Sequence, residues 1–233
     1  MNMVHFDLKK QLRAGDHLFH LDAAYCLQEG AFLGIRGASG SGKTTLLRCL
    51  AGLCRPDSGC TTVGAETWYS GATGLFLPPQ RRSVGFVFQE YALFPHMTVY
   101  GNVFYATGDR ARTMELLELT RMDTLAKHFP RELSGGQKQR TAVARALGRK
   151  PRLLLLDEPF SALDEDLRRS LGDELYRIQA ETRVTAILVS HSREEISRLC
   201  DEVLELSEGR IVAAGAEDRF GPEARGRRAP REV

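Results

Sequence analysis

The chain has 233 residues, 42% of them hydrophobic, which suits one α/β domain with a sizeable core. Its 32 basic and 30 acidic residues leave a net charge of +2, which gives no footprint for a nucleic-acid partner. No apolar run approaches the roughly 18 residues that span a bilayer, and residues 1–7 lack the basic and apolar regions of a secretion signal.

In chain order, residues 4–8 and 17–27 alternate apolar and polar side chains, as at Phe19, Leu21 and Ala23. They read as antiparallel strands joined by a turn at Arg13-Ala14-Gly15-Asp16. Residues 31–35 read as a buried strand, and residues 45–52 as a helix closed by Gly52. Arg55-Pro56-Asp57-Ser58-Gly59 is a turn, residues 61–63 and 66–69 are short strands, and Pro78 and Pro79 keep residues 77–82 irregular. Residues 83–88 form the next strand, ending at Gln89. From about residue 90 to 145 the pattern is helical and reads as a lobe inserted into the α/β core. Thr98 caps one helix, Met114, Leu117, Thr120 and Arg121 share helical spacing with Leu116 and Leu119 alongside, Pro130 interrupts, and Ser134 caps a helix that stops at Gly148. Leu153-Leu154-Leu155-Leu156 suits a parallel strand buried on both faces. Asp164 caps a helix with Leu167, Leu171, Leu175 and Ile178 on one face, and residues 184–189 are another buried strand. Ser192 with Glu195 predicts a capping box, and Glu208-Gly209 a hairpin. One domain is expected: core and β-layer over 1–89 and 146–220, the helical lobe over 90–145, and a solvated basic tail over 221–233. Its five cysteines form no C-x-x-C pair, which fits reduced thiols.

Three stretches carry chemistry. Gly37-Ala38-Ser39-Gly40-Ser41-Gly42-Lys43-Thr44-Thr45, between a strand and a helix, is a phosphate loop. Its glycines let backbone N–H groups form an anion nest, the helix N-terminus adds positive potential, Lys43 reaches the terminal phosphates, and Thr44 offers a hydroxyl to Mg²⁺. Asp157 and Glu158, delivered by the leucine strand, are placed to hold Mg²⁺ and to polarise an attacking water. Leu133-Ser134-Gly135-Gly136-Gln137 makes a second anion nest at a helix start. One nucleotide rarely needs two nests, so the second suits the nucleotide of a neighbouring subunit.

Over nearly its whole length the chain resembles an ATP-binding-cassette (ABC) ATPase. Residues 37–45 resemble the Walker A loop, Gln89 the glutamine-loop residue, residues 133–137 the signature, and residues 153–158 Walker B with the catalytic glutamate. Ser161-Ala162-Leu163-Asp164 resembles the D-loop and His191 the switch histidine, all in family order. The resemblance implies a RecA-like P-loop NTPase core with an N-terminal antiparallel β-layer and an inserted α-helical lobe. It implies a head-to-tail dimer closing on two ATP, each between Lys43 of one copy and Ser134 of the other. In that scheme Gln89 contacts Mg²⁺ or water, His191 contacts the γ-phosphate, and Asp164 couples the two sites. The family stacks an aromatic residue on adenine from the early β-layer. The candidates are His17 and Phe19, with Tyr25 third; His17, after Gly15-Asp16, matches that position best, and Phe19 and Tyr25 read more as core residues.

Residues 77–89, with Leu93-Phe94-Pro95-His96 and Gly101-Asn102-Val103, are similar to the same segments of molybdate importer ATPases. The apolar strip at residues 89–99 suits a groove for a short helix of a membrane permease. The resemblance thus implies an ATPase on the cytoplasmic face of the membrane, serving a permease and indirectly a substrate-binding protein. Its cargo would be molybdate, with tungstate, sulfate or another substrate as alternatives. A soluble ABC ATPase acting on nucleic acid is the rival class, but the chain shows no second cassette, coiled-coil insertion or basic arm. A P-loop kinase has no use for residues 133–137.

Overall fold

The computed structural model describes residues 3–14, 17–161 and 163–216, with only the backbone course given for residues 14, 17, 215 and 216. Gly15, Asp16 and the basic tail read from the sequence lie outside the described residues. Strands β1 (Met3–Ala14) and β2 (His17–Gln28) pair antiparallel along their whole length. β1 runs further than its alternation predicts, because Asp57 holds its polar half. That carboxylate accepts from Lys10 Nζ and from the Gln11 amide, each at 2.6 Å. Arg13 and Ala14 therefore belong to the strand and not to the expected turn.

After β3 (Phe32–Arg36) and α1 (Lys43–Ala51) come the short strands β4 (Ser58–Val63), β5 (Glu66–Ser70) and β6 (Leu75–Phe76), then β7 (Val84–Val87). Helices α2 (Val99–Thr107), α3 (Arg110–Leu119) and α4 (Gly135–Leu147) follow before β8 (Leu153–Asp157). The chain continues through α5 (Glu165–Thr182), β9 (Thr185–Val189), α6 (Arg193–Leu199) and the hairpin β10 (Glu202–Ser207) and β11 (Arg210–Ala216).

The strands form one sheet in the order β6-β5-β4-β1-β2-β11-β10-β3-β9-β8-β7. From β10 to β7 the neighbours run parallel, and from β6 to β2 antiparallel. β11 joins the halves, antiparallel to β10 and meeting β2 at the pair Arg210↔Asp22. Each parallel strand is apolar on both faces. Leu154, Leu156, Ala186 and Leu188 enter a core with α2 to α6; Leu153, Leu155, Ile187 and Val189 enter a second core under α1 and the antiparallel layer. At roughly 2 kcal/mol per buried aliphatic side chain, this double burial fixes the strands and leaves only their ends for polar chemistry.

The caps at Thr98, Ser134 and Asp164 form as the sequence implies. Two readings change. On α3 the buried face is Thr113, Leu116 and Leu117, while Met114 is exposed and Arg121 lies past the helix end at φ 56°. Asp109 caps that helix one turn before Thr113 and so sets this phase. The capping box predicted at α6 is half made. Ser192 Oγ accepts from the Glu195 amide, but the Glu195 carboxylate turns to Ser190 Oγ instead.

Arg82 closes the C-terminal end of α1. Its Nη1 donates to Cys49 O at 2.9 Å and Leu50 O at 2.7 Å, and its Nε donates to Leu77 O at 2.8 Å. The guanidinium also stacks near Trp68 and Phe76, at 5.7 and 5.2 Å from the ring centroids. Burial pulls its pKa down to about 10, so it stays charged at neutral pH. Arg82→Met leaves those carbonyls without a donor, and thermal or urea unfolding should show a loss of about 2–4 kcal/mol.

Candidate functional site

The site is built where the parallel strands end. β3 runs into the glycine-rich loop, β8 ends at Asp157 and Glu158, β9 is followed by Ser190 and His191, and β7 is followed by Gln89. The registers Ile35↔Val189, Asp157↔Val189 and Val87↔Leu156 bring these ends level. Outside the carboxyl ends of parallel strands is where such sheets place ligands.

Close packing dictates the loop's glycines. A Cβ at Gly37 would overlap the Leu206 carbonyl oxygen. Gly40 and Gly42 lie at φ +79° and +103°, which L side chains rarely adopt. A Cβ at Gly42 would also stand 2.7 Å from the Phe19 ring. Lys43 is 7% exposed, and its Nζ donates to Gly37 O at 2.7 Å and Ala38 O at 2.8 Å. Burial lowers the Lys43 pKa, against the pull of Glu158 and Asp157. Ser41 Oγ is buried without a partner. Buried polar atoms are rarely left so, and this one is a donor within the loop.

Asp157 is 6% exposed, and its Oδ1 accepts from Thr44 Oγ1 at 3.0 Å. Burial pushes its carboxyl pKa up, partly offset by the Thr44 hydrogen bond. Glu158 stands at φ 47°, a left-handed conformation costing a non-glycine residue about 1 kcal/mol or more. The turn aims its carboxylate at His191, with Oε2 2.7 Å from Nδ1. Glu158, His191, Gln89, Ser161, residues 39–45, Leu12 and Phe19 line one open cleft of about 660 Å³. Among the described residues no group of three or more His, Cys, Asp or Glu could hold a metal by itself. Thr44 and Asp157 instead present hard oxygens beside the loop.

Two expected residue sets stand elsewhere. Ser134, Gly135, Gly136 and Gln137 contribute nothing to the cleft's lining, and neither does Asp164. Ser134 Oγ accepts from the Gln137 amide and Gln137 Oε1 from the Ser134 amide, so the serine serves a capping box. The glycines also have a packing role beyond a nest. A Cβ at Gly135 would lie 2.9 Å from Leu163, and one at Gly136 3.0 Å from Leu171. The amides of Gly135 and Gly136 still open α4 without intrahelical acceptors. The side chain of His17 lies outside the described residues. Phe19, read as core from the sequence, is in the cleft wall, opposite Leu12 in the β1–β2 register. Tyr25 instead donates to Glu202 Oε2 at 2.7 Å.

Sequence reasoning missed two supports. Arg145 of α4 donates to Tyr91 O at 2.9 Å and Ala92 O at 2.7 Å, and so grips the segment after Gln89. Tyr91 and Ala92 stand at positive φ, which no residue-type signal announces. The Gly209 amide donates to Ser41 O at 3.0 Å, and Gly209 O accepts from the Asp22 amide at 2.7 Å. The β10–β11 turn thus bolts the phosphate loop to the antiparallel layer.

A parallel α/β core with this loop at a strand end, two acids on a neighbouring strand and a flanking antiparallel layer defines a P-loop nucleoside-triphosphatase fold of the ATP-binding-cassette type. Residues 21–161 match the ABC transporter family model, and the chain belongs to that family. It is 43% identical over 203 residues to the molybdenum import ATP-binding protein ModC of Rhizobium etli, covering 84% of this chain and 57% of that one. The spermidine/putrescine import ATP-binding protein PotA of Methylococcus capsulatus is 46% identical over 209 residues, covering 86% and 53%. The sulfate/thiosulfate import ATP-binding protein CysA of Bradyrhizobium diazoefficiens is 45% identical over 202 residues, covering 82% and 57%. The chain therefore spans little more than half the length of these relatives. Among solved structures, the dimeric ATP-binding cassette MJ0796 in a post-hydrolysis state bound to ADP and Pi superposes with a TM-score of 0.77. It is 27% identical, with 93% of this chain and 100% of that one covered.

Gly209→Ala puts a Cβ onto the His20 carbonyl oxygen at a backbone φ of +78°. It should cost about 2–3 kcal/mol in chemical denaturation and weaken nucleotide binding measured by calorimetry.

Proposed function

We propose that the chain is the ATP-hydrolysing subunit of an ABC importer, working as a head-to-tail pair of copies with two ATP at their interface. The observation that carries this reading is the division of the site. Lys43, Thr44 (hydrogen-bonded to Asp157) and the Glu158–His191 pair share one cleft, whereas the helix start at residues 134–137 is absent from its lining. A second copy would supply that helix start and complete the anion cage over the phosphates.

The residues present fit a magnesium nucleotide. The loop offers backbone N–H groups, Lys43 and the unpartnered Ser41 hydroxyl to the phosphates. Phe19 and Leu12 offer an apolar wall to the base, with His17 as the further stacking candidate at the start of β2. Thr44 and Asp157, with Gln89 directly or through water, would hold Mg²⁺, which neutralises charge on the phosphate oxygens when bound.

Hydrolysis then follows the cleft's geometry. Glu158 takes a proton from water as its oxygen attacks the γ-phosphorus, and the bond to the β–γ bridging oxygen breaks to leave ADP and phosphate. The Nδ1 contact and the left-handed turn hold the carboxylate for that task. His191, exposed on its other side, reaches toward the γ-phosphate. Asp164, which caps α5, would couple the site to the partner copy. Gln89 passes the state of the site through Tyr91 and Ala92 to Arg145 on the signature helix. The same region carries exposed Phe104 and Tyr105, an apolar face suited to a permease helix. Among the described residues no helix is long and apolar enough to cross a membrane. In keeping with the import ATP-binding names of its relatives, the subunit would work peripherally, at the cytoplasmic face, on integral permease subunits fed by a substrate-binding protein. Molybdate is the cargo best supported by the segments quoted from the sequence. Tungstate, by its likeness to molybdate, and sulfate come next; the relatives' names span molybdenum, sulfate and polyamines.

Glu158→Gln should bind ATP and dimerise on a sizing column yet hydrolyse it at least about 100-fold more slowly. Ser134→Arg should stay folded and monomeric with equally little turnover; normal turnover in the first variant would remove Glu158 as the base, and in the second would sink the shared site. Reconstituted with its permease, the ATPase should be stimulated by a molybdate-loaded binding protein and not by a sulfate-loaded one. The reverse would reassign the cargo.

A further inference from the structure

A chain of polar contacts behind the cleft joins two loops that the proposed reaction uses separately. Ser190, fully buried, follows β9 and precedes His191. Its Oγ accepts from the Ser192 amide at 3.0 Å and donates to Glu195 Oε2 at 2.5 Å. The residues on both sides of His191 are thereby pinned to one carboxylate. The other oxygen of Glu195 faces Arg168 of α5 as an ion pair, with Nε 3.3 Å from Oε1 but without hydrogen-bond geometry. Arg168 Nη2 in turn donates to Leu163 O at 3.0 Å, one residue before the helix cap Asp164. Leu163 is also the side chain against which Gly135 packs.

The contacts are ones that geometry makes consequential. The Glu195 side chain is 11% exposed and that of Arg168 30%, so the pair is screened less than a surface pair. A partly buried carboxylate with a hydroxyl on one oxygen and a guanidinium on the other has little freedom to reorient. The sequence offers the Glu195 carboxylate a cheaper local use in the α6 capping box, the half that the structure leaves unmade. Its neighbour Glu194 pairs with Arg169, so the Arg168 contact belongs to Glu195.

We propose that Glu195 is a positioning residue. Through Ser190 and Arg168 it locks the His191 loop to the Leu163–Asp164 loop, so that the γ-phosphate contact and the partner-facing loop move as one body. The proposal rests on the reading of His191 and Asp164 given above. It concerns neither substrate contact nor proton transfer by Glu195.

The test uses Glu195→Gln, which keeps shape and an acceptor for Ser190 but removes the charge facing Arg168, and Arg168→Met. Each should retain the wild-type melting temperature within a few degrees and a KM for ATP within about twofold, while kcat falls about tenfold. The double variant should lose no more than the worse single, as residues of one unit do. Hydrogen exchange without nucleotide gives a readout independent of hydrolysis. Glu195→Gln should speed exchange in residues 160–167 and 189–195 together. Faster exchange confined to 189–195, or kcat losses that multiply in the double variant, would overturn the proposal. If the two segments respond together but His191→Ala hydrolyses ATP normally, the coupling stands and the role assigned to His191 fails.

Discussion

Burial of the central parallel strands on both faces is the constraint from which the rest follows. Leu153 to Leu156 send alternate side chains into two separate cores, and β9 does the same with Ala186 to Val189. A strand committed to apolar contacts above and below can carry polar function only where it ends. The carboxyl ends of β3, β7, β8 and β9 lie side by side, so the phosphate loop, Gln89, the two acids and His191 converge although up to about 150 residues separate them in sequence.

That convergence places charge where water is scarce. Burial works against the charged forms of both Lys43 and Asp157, and each is held by short polar contacts within the loop or to Thr44. A site with buried charges and an orphaned serine hydroxyl is pre-organised for a polyanion, since the ligand satisfies groups that folding leaves poorly solvated. Phosphate chemistry and the strain at Glu158 are two sides of one arrangement: the backbone accepts an unfavourable φ to turn the carboxylate toward the cleft.

Around this rigid floor, arginines do the joining. Arg82 closes α1, Arg145 ties the signature helix to the segment after Gln89, and Arg168 ties α5 to the loop before it. In each case a guanidinium donates to backbone carbonyls that secondary structure leaves open. A planar, permanently charged group with several donors suits that task better than an ammonium. Such links set the relative placement of elements that share no hydrogen-bonded ladder, which a multi-part nucleotide switch requires.

Local chemistry was legible from the sequence by itself: the glycine loop and its flanking strand and helix, the acids after four leucines, the caps at Thr98, Ser134 and Asp164, and the hairpin at Glu208-Gly209. These depend on short-range rules of glycine, apolar runs and capping hydroxyls, and the structure reproduces them. The family followed from the order of the same motifs. What tertiary structure alone decided was everything set by contacts distant in sequence. Asp57 lengthens β1, and Phe19 lines the cleft as well as packing against the core because the β1–β2 ribbon passes over Gly42. Glu195 forgoes its local cap for Ser190 and Arg168. In each case a local preference worth about 1 kcal/mol met a long-range partner of equal or greater strength. No pattern of neighbouring residues records which one wins.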